Sequence, residues 1–540
     1  MKHIDLILVL LTACVSLRVL AARFAVPHPS LLVLGGAALA LVPGLPRSGL
    51  APGVIFLIFV PPLLYRASVR APLREFRRQR WPILWLSVPL VLVTQAAVAL
   101  VAHELIPGFP WSAGLVLGAI VSAPDAVAAM AVMRRLRVPP AAAAVLEGEG
   151  MFNDATALVA YRIAVTAAVT GAFSLGQAAS EFAWSAALGV ALGLLVGWGA
   201  IAIRRRVQDL PLVDNSISLL TPFAAYLPAN ALGASGVLAV ISAGLYVGRH
   251  MAKALSPATR IQAAATWSLV TFILESLVFI LVGLDLPHLV QETGREALGR
   301  WLGFSALITL VVIVVRMAWL WPAYARRALP DRYRCFRSPR QIALVAWAGI
   351  RGAESVVIAL AVPHTTASGA AFPGRGLIVF VTFGVVFATL VLQGLTLKPL
   401  VRLLGLDGDT ERAREEAHAR QILALAGLSR LEELEGVDGG PPETVDDLRR
   451  RHHHRARRWA AREQQLGGAP IVPQGAGDSD DGFSEPSLHY RRLRGAMMEA
   501  ERQAAVRLSD EGVIGAIVLR LVERDLDLEA MLLRDFPGSD

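Results

Sequence analysis

From Ile4 to about Leu400 the chain is a succession of apolar runs cut by short polar loops, and this pattern admits few folds. A bilayer core takes roughly 20 apolar residues per helix. Backbone groups inside it must be satisfied within helices or closed barrels. The runs have helical length, so the pattern predicts an all-α polytopic membrane protein. Spans fall near 4–22, 30–47, 51–65, 82–102, 110–133, 143–168, 182–203, 214–231, 233–248, 265–287, 302–325, 341–362 and 375–400, about thirteen transmembrane helices in all. Composition agrees. Only 18% of the 540 residues are charged, 55% are hydrophobic and mean hydropathy is +0.53, too apolar for a soluble chain of this length. From Arg402 onward the sequence turns polar. The division expected is a transmembrane domain over 1–401 and a helical cytoplasmic tail over 402–540.

Charge placement sets the orientation. The net charge of +9 comes from arginines clustered in loops, which points to lipid rather than nucleic acid. Arg66, Arg70, Arg74, Arg77, Arg78 and Arg80 crowd one loop; Arg134, Arg135 and Arg137 the next; then Arg204, Arg205 and Arg206; then Arg249, Lys253 and Arg260; then Arg326, Arg327, Arg332, Arg334, Arg337 and Arg340. Nearly uncharged loops at 103–109 and 169–181 lie between. The positive-inside rule places the basic set and the tail in the cytoplasm, and an odd span count places the N-terminus outside. Leu11-Thr12-Ala13-Cys14 resembles a cleavage site, but the apolar run continues through Val15–Ala22, so a first span is expected instead. Cys14 and Cys335 are too few for a disulfide framework.

A carboxylate at mid-bilayer costs at least ~2.5 kcal/mol, so each one needs a reason. The densest cluster runs Glu147-Gly148-Glu149-Gly150-Met151-Phe152-Asn153-Asp154 at the start of the sixth span. On a helix Gly150, Glu147 and Asp154 share a face, and Asn153 sets an amide carbonyl beside the Asp154 carboxylate. Oxygen ligands of this kind suit hard cations. A helix-capping role is the plainer reading, most of all for Glu147. In the fifth span, Ser122-Ala123-Pro124-Asp125 places an acid directly after a helix-breaking proline. Freed carbonyls at such a break can serve a cation; a simple kink is the alternative. In the twelfth span Arg351 needs a carboxylate partner, with Glu149 the candidate and Glu354, three residues on, the other. Glu275 is a further buried acid, open between structural pairing and function, and Arg316 reads as structural.

At these residues the sequence resembles the monovalent cation:proton antiporter family, in its bacterial sodium/proton exchanger branch. Asn153-Asp154-Ala155-Thr156-Ala157 is similar to the family's Asn-Asp signature. Ala123-Pro124-Asp125 resembles its broken-helix motif, Gly349-Ile350-Arg351-Gly352 its late Arg-Gly motif, and Pro61-Pro62-Leu63-Leu64-Tyr65 its early Pro-Pro motif. Glu275-Ser276-Leu277 followed by Gly283-Leu284 also fits, and the order is the family's. The resemblance implies inverted repeats with two broken, crossing helices, a homodimer, and an elevator-like movement of the part that carries the site. It implies Asp154 as the carboxylate shared by cation and proton, Asn153 as its support, Asp125 at the crossing, and a structural ion pair between Glu149 and Arg351. No cofactor is implied, and no metal beyond the transported cation. The sequence also departs from the pattern. Gly150 and Pro124 stand where several members carry hydroxyl side chains, Arg66 where some carry Glu, and Glu354 where a small or apolar residue is usual.

Physics joins these residues to a mechanism. One buried carboxylate can hold a proton or a cation, not both. If only loaded forms cross, the two gradients are coupled, and one sodium for one proton is electroneutral. Potassium uses the same ligands, and a gated channel is a further alternative, although no filter loop is evident. Enzyme motifs are missing from the spans. In the tail, 411–435 and 487–536 read as amphipathic helices around a Gly/Pro/Asp-rich linker at 467–486. His452-His453-His454 is open between a metal or pH-sensing role and a solvated basic helix near anionic lipid. The tail is expected to regulate or assemble.

Overall fold

The computed structural model describes residues 2–24, 28–42, 52–71, 76–77, 79–125, 129–130, 133, 140–171, 175–207, 210–293, 295–325, 338–406, 410–438, 441–466 and 488–534. Ala126–Ala128 of the proline motif, loop arginines Arg74, Arg78, Arg134, Arg135, Arg137, Arg326, Arg327, Arg332, Arg334 and Arg337, Cys335, and the linker at 467–486 lie outside the described residues. Two compact units emerge, 1–254 with 265–407 and 255–264 with 408–540.

The first unit is helical, with one isolated β-bridge between Thr365 and Ala371 among the described residues. Its elements are α1 (Lys2–Phe24), α2 (His28–Leu39), α3 (Pro52–Val69), α4 (Arg80–Ser87), α5 (Pro89–Leu105), α6 (Trp111–Ser122), α7 (Pro140–Thr170), α8 (Leu175–Arg204), α9 (Pro211–Ala231), α10 (Gly236–Ala254), α11 (Pro257–Thr293), α12 (Arg295–Ala325), α13 (Pro339–Trp347), α14 (Ala353–Leu360), α15 (Arg375–Ala388) and α16 (Gly394–Leu403), with a π-helical turn at Thr389–Gln393 before α16. Residues 255–264 open α11 but group with the second unit. Helices α3, α5, α7, α9, α11 and α13 open on proline, whose fixed φ suits a first turn and whose missing N–H would have no partner there.

Among the described residues, five stretches are long and apolar enough to cross a bilayer: Arg80–Leu105, Ala183–Arg204, Ala258–Leu281, Ala297–Trp321 and Arg375–Leu403. Trp184, Leu195 and Trp198 on α8 and Leu310 and Trp321 on α12 are exposed, a surface that acyl chains would cover.

Besides the fifth span, which breaks at its proline motif, three spans differ from a plain helical reading. The 82–102 span is divided at Val88, because Pro89 cannot donate to the preceding turn. The 341–362 span is two half-helices, α13 and α14, joined by non-helical backbone at 349–352. The last span holds the π turn, a feature common where a helix serves a site.

Close helix approach depends on small residues. Along α8, a Cβ on Gly193 or Gly197 would strike the backbone of α10 at Ala239 or Ala243, and one on Gly189 the backbone of Ser235 just before that helix. Contacts of this kind, rather than apolar collapse, hold helices together in lipid.

The second unit contains α17 (Thr410–Asp438), α18 (Pro442–Gln465), α19 (Leu488–Glu511) and α20 (Ala516–Arg534). The stretch expected as one helix over 487–536 is two, because the chain turns at Gly512 with φ +84°. Leu423, Leu431, Leu448, Met497, Val518 and Leu526 form its apolar core. The unit also buries charge. Arg494 donates to Glu501 at 2.8 Å and to Glu529 at 2.5 and 2.7 Å. His452 is buried rather than solvated, its Nδ1 lying 3.0 Å from the Leu448 carbonyl and its Nε2 3.1 Å from Glu501. Both ring nitrogens face oxygen acceptors. Burial pushes the Glu501 carboxyl up, but the His452 hydrogen bond and the charges of Arg494 and Arg455 outweigh it and hold the group at about 2. His453 and His454 are exposed, and no metal-holding cluster of His, Cys, Asp and Glu occurs among the described residues. Arg260 is bound by Asp527, which also accepts from Arg502 at 2.8 Å.

Candidate functional site

The site is built where two helices stop short. Helix α6 ends at Ser122, and Ala123 turns to φ −79°, ψ 123° ahead of Pro124. Helix α13 ends at Trp347, and α14 begins at Ala353. The two breaks are bonded to each other, since the Asp125 N–H donates to the Ile350 carbonyl at 2.7 Å. Such backbone survives at membrane depth only where protein or a cavity receives it.

Side chains from neighbouring helices occupy the groups that the breaks release. Asn153, on α7, donates through Nδ2 to the Pro124 carbonyl at 2.9 Å. Its Oδ1 is buried without a hydrogen-bond partner. The Thr389 hydroxyl, in the π turn, accepts from the Arg351 N–H at 3.1 Å and donates to the Val385 carbonyl at 2.9 Å.

Two buried arginines complete the scaffold. The Arg351 guanidinium donates to the Val121 carbonyl at 3.0 Å, to the Ser122 carbonyl at 3.2 Å and to the Gly349 carbonyl, so it closes the C-terminal end of α6. Arg316, on α12, does the same for α13, donating to the Val345 carbonyl at 3.2 and 3.1 Å. It also grips Glu149 with two prongs, at 2.5 and 2.7 Å. All three side chains are 1% exposed. The ion pair expected between Glu149 and Arg351 is therefore replaced by Glu149 and Arg316. A guanidinium forks onto one carboxylate at best geometry, and Arg351 spends its donors on carbonyls that the break frees. The alternative pairing of Arg351 with Glu354 is also set aside, because Glu354 turns toward Asp154. Gly349 makes the arrangement possible, since a Cβ there would lie 2.5 Å from Arg316 Cδ and 3.0 Å from Arg351 Nη1.

Beside this scaffold lies a cavity of about 20 Å³, room for about one water molecule or one bare ion. Asp125, Asp154 and Glu354 line it, with Ser355, Gly352, Ile120, Ala123, Ala157 and Ile358. The three carboxylates are half-buried. Those of Asp154 and Glu354 lie against the same small space. Gly352 faces Asp125 so closely that a methyl group in its place would overlap the carboxylate.

The structure thus brings together Asp125, Asp154 and Glu354 of the residues singled out from sequence, with Asn153 and Pro124 bonded just beside them. Gly150 is buried on α7 but does not line the cavity; nor do Glu147, on the same helix, and Glu275, on α11. Ser355, the spacing role of Gly352 and the cap from Thr389 were not read from sequence. Ser355 adjoins Glu354 and was within reach of inspection. Thr389 carries no local signal, because its partner is 38 positions away.

A profile of the family described as "Sodium/hydrogen exchanger, transmembrane" matches residues 7–403. The chain belongs to this family. The exchanger is thus a multi-pass membrane protein and a monovalent cation/proton antiporter, not an enzyme. It is 36% identical, over 98% of its own length and 96% of the relative's, to a protein named as an uncharacterized Na+/H+ exchanger of Mycobacterium tuberculosis. It is 33% identical to a protein of Bacillus pumilus named as a sodium, potassium, lithium and rubidium/H+ antiporter, over 76% of the exchanger and 62% of that protein. Its fold matches that of a sodium proton antiporter from Methanocaldococcus jannaschii with a TM-score of 0.57 at 18% identity, covering 76% of the exchanger and all of that chain.

Proposed function

We propose that the chain exchanges sodium for protons across the cytoplasmic membrane, one for one and without net charge, with both ions competing for Asp154. The observation that carries this reading is the cavity itself. It has room for a single small ion, three carboxylates line it, and it adjoins the junction of two broken helices. Asp154 is the shared carboxylate, Asn153 holds the Pro124 side of the break and offers Oδ1, and Asp125 lies at the crossing. The bare site is too costly to carry through an apolar barrier, so only loaded forms cross. Thirteen spans in inverted repeats, a homodimer, a cytoplasmic tail that regulates or assembles, an external N-terminus and a part in pH homeostasis belong to the same reading.

A broader cation range is the second reading, favoured by the Bacillus pumilus relative, whose name includes potassium, lithium and rubidium. One assay addresses both. Inside-out vesicles carrying the protein are given sodium, lithium or potassium while a pH-sensitive dye reports proton movement. Sodium should elicit proton movement, and Asp154→Asn should abolish it. A parent protein inert to every cation, or an Asp154→Asn variant exchanging at the parent rate, refutes the reading.

A further inference from the structure

Glu354 lies in the first turn of α14, three residues past Arg351, and the structure sets it in the cavity. Its carboxyl meets that of Asp154, and Asp125 lines the same space. Carboxylates crowded around so small a space repel one another unless one of them carries a proton, which lets it donate to its neighbour. The neighbouring charges can be tallied. Glu149 and Arg316 cancel as a two-pronged pair. Arg351 supplies one positive charge, its donors committed to backbone carbonyls. Among the described residues, Asp125, Asp154 and Glu354 therefore leave two negative charges in excess. A monovalent cation neutralises only one of these, and an uncompensated charge in this setting is expensive.

We infer that Glu354 is a ligand of the transported cation and that, with Asp154, it holds a resident proton that stays through the whole cycle. The inference rests on the exchange reading above. With that proton in place the empty site carries one negative charge. A cation neutralises it in one loaded form, and a second proton does so in the other. Both loaded forms are neutral, so exchange stays one for one despite three carboxylates. Glu354 also offers an oxygen ligand that Gly150 and Pro124 cannot, and the neighbouring Ser355 side chain lines the cavity beside it.

The test compares the full chain with Glu354→Gln and Glu354→Ala in proteoliposomes, with and without an imposed membrane potential. Glutamine resembles the protonated acid: it donates to Asp154 and keeps one oxygen for the ion. Glu354→Gln should therefore exchange, remain insensitive to the potential, and reach half-maximal rate within about threefold of the parent's sodium concentration. Glu354→Ala loses both contacts and should need about tenfold more sodium or beyond, as expected for a lost ligand hydrogen bond to a charge. Sodium-induced thermal stabilisation in detergent should rank the three proteins in the same order without relying on transport. Inactive but folded Glu354→Gln overturns the inference, as does exchange by that variant that becomes sensitive to potential. Glu354→Ala with the parent's sodium dependence also overturns it. If the alanine variant does not fold, Glu354→Gln decides alone. A parent chain inert to all cations refutes the exchange reading itself, an outcome distinct from any confined to position 354.

Discussion

Replacing Arg316 by methionine keeps the bulk of the side chain and removes its charge, leaving Glu149 buried without its partner. Both side chains are 1% exposed and joined by two hydrogen bonds at 2.5 and 2.7 Å, so almost no solvent screens the loss. Breaking such a pair costs about 3–5 kcal/mol. The same change strips the Val345 carbonyl of its donor at the end of α13. Glu149→Gln alone should fall in the same range, because it leaves a buried guanidinium unneutralised. Made together, the two changes should cost little more than either one, a coupling of about 3 kcal/mol in a double-mutant cycle. The matching cycle between Glu149 and Arg351 should give a clearly smaller coupling, carried by charge alone, since Arg351 donates to the Val121, Ser122 and Gly349 carbonyls. The assay is thermal unfolding of the purified variants in detergent, followed by tryptophan fluorescence at one scan rate. Each single variant should melt several degrees below the parent, and the Glu149/Arg316 double variant close to the less stable single. Strong coupling of Glu149 to Arg351, with none to Arg316, would refute the scaffold described above.

Three further outcomes follow from named contacts. Gly352→Ala should reduce exchange at least tenfold in proteoliposomes while the protein stays folded, because the added methyl displaces Asp125; parent-level exchange would show that the Asp125 position is not needed. Asn153→Ala leaves the Pro124 carbonyl without its donor, a loss of about 1–3 kcal/mol, and should lower both melting temperature and exchange; a variant impaired in neither counts against Asn153. In the second unit, Glu501 sits at about 2 against an ordinary 4.5. Its folded value is depressed, so its stabilisation is fully present above about pH 4.5 and is lost as pH falls toward 2. The gap corresponds to about 3 kcal/mol. Hydrogen exchange of α19 peptides, corrected for intrinsic rate, should show Glu501→Gln less protected than the parent at pH 7, with the difference narrowing below pH 4.5.

How much of this was legible in the sequence depended on the range of each interaction. The all-helical membrane character was readable because apolar runs are local, and the Pro124 break because proline acts on its own turn. The acids of the cavity could be named, since a carboxylate in an apolar run is conspicuous. Their grouping could not. The partner of Glu149 lies 167 positions away, and nothing local distinguishes Arg316 from Arg351 as that partner. The choice was made by carbonyls freed at Val121 and Ser122, which are visible only once the two breaks meet. The division at Gly512 was missed because apolar periodicity continues on both sides of it. The burial of His452 was missed because its neighbours are charged, and its carboxylate partner lies on another helix.

The hydrogen bond from the Asp125 N–H to the Ile350 carbonyl has a consequence for how an ion can travel. It fastens one interrupted span to the other beside the cavity, so the two ends cannot part without stranding a buried donor and acceptor. Asp125 and Glu354 are thereby mounted on a single joint rather than on opposing jaws. An ion held between them would not be handed from one helix to the next. It would ride with its coordinating shell as one piece of freight, and the gate would have to be found elsewhere, in whatever that piece slides against.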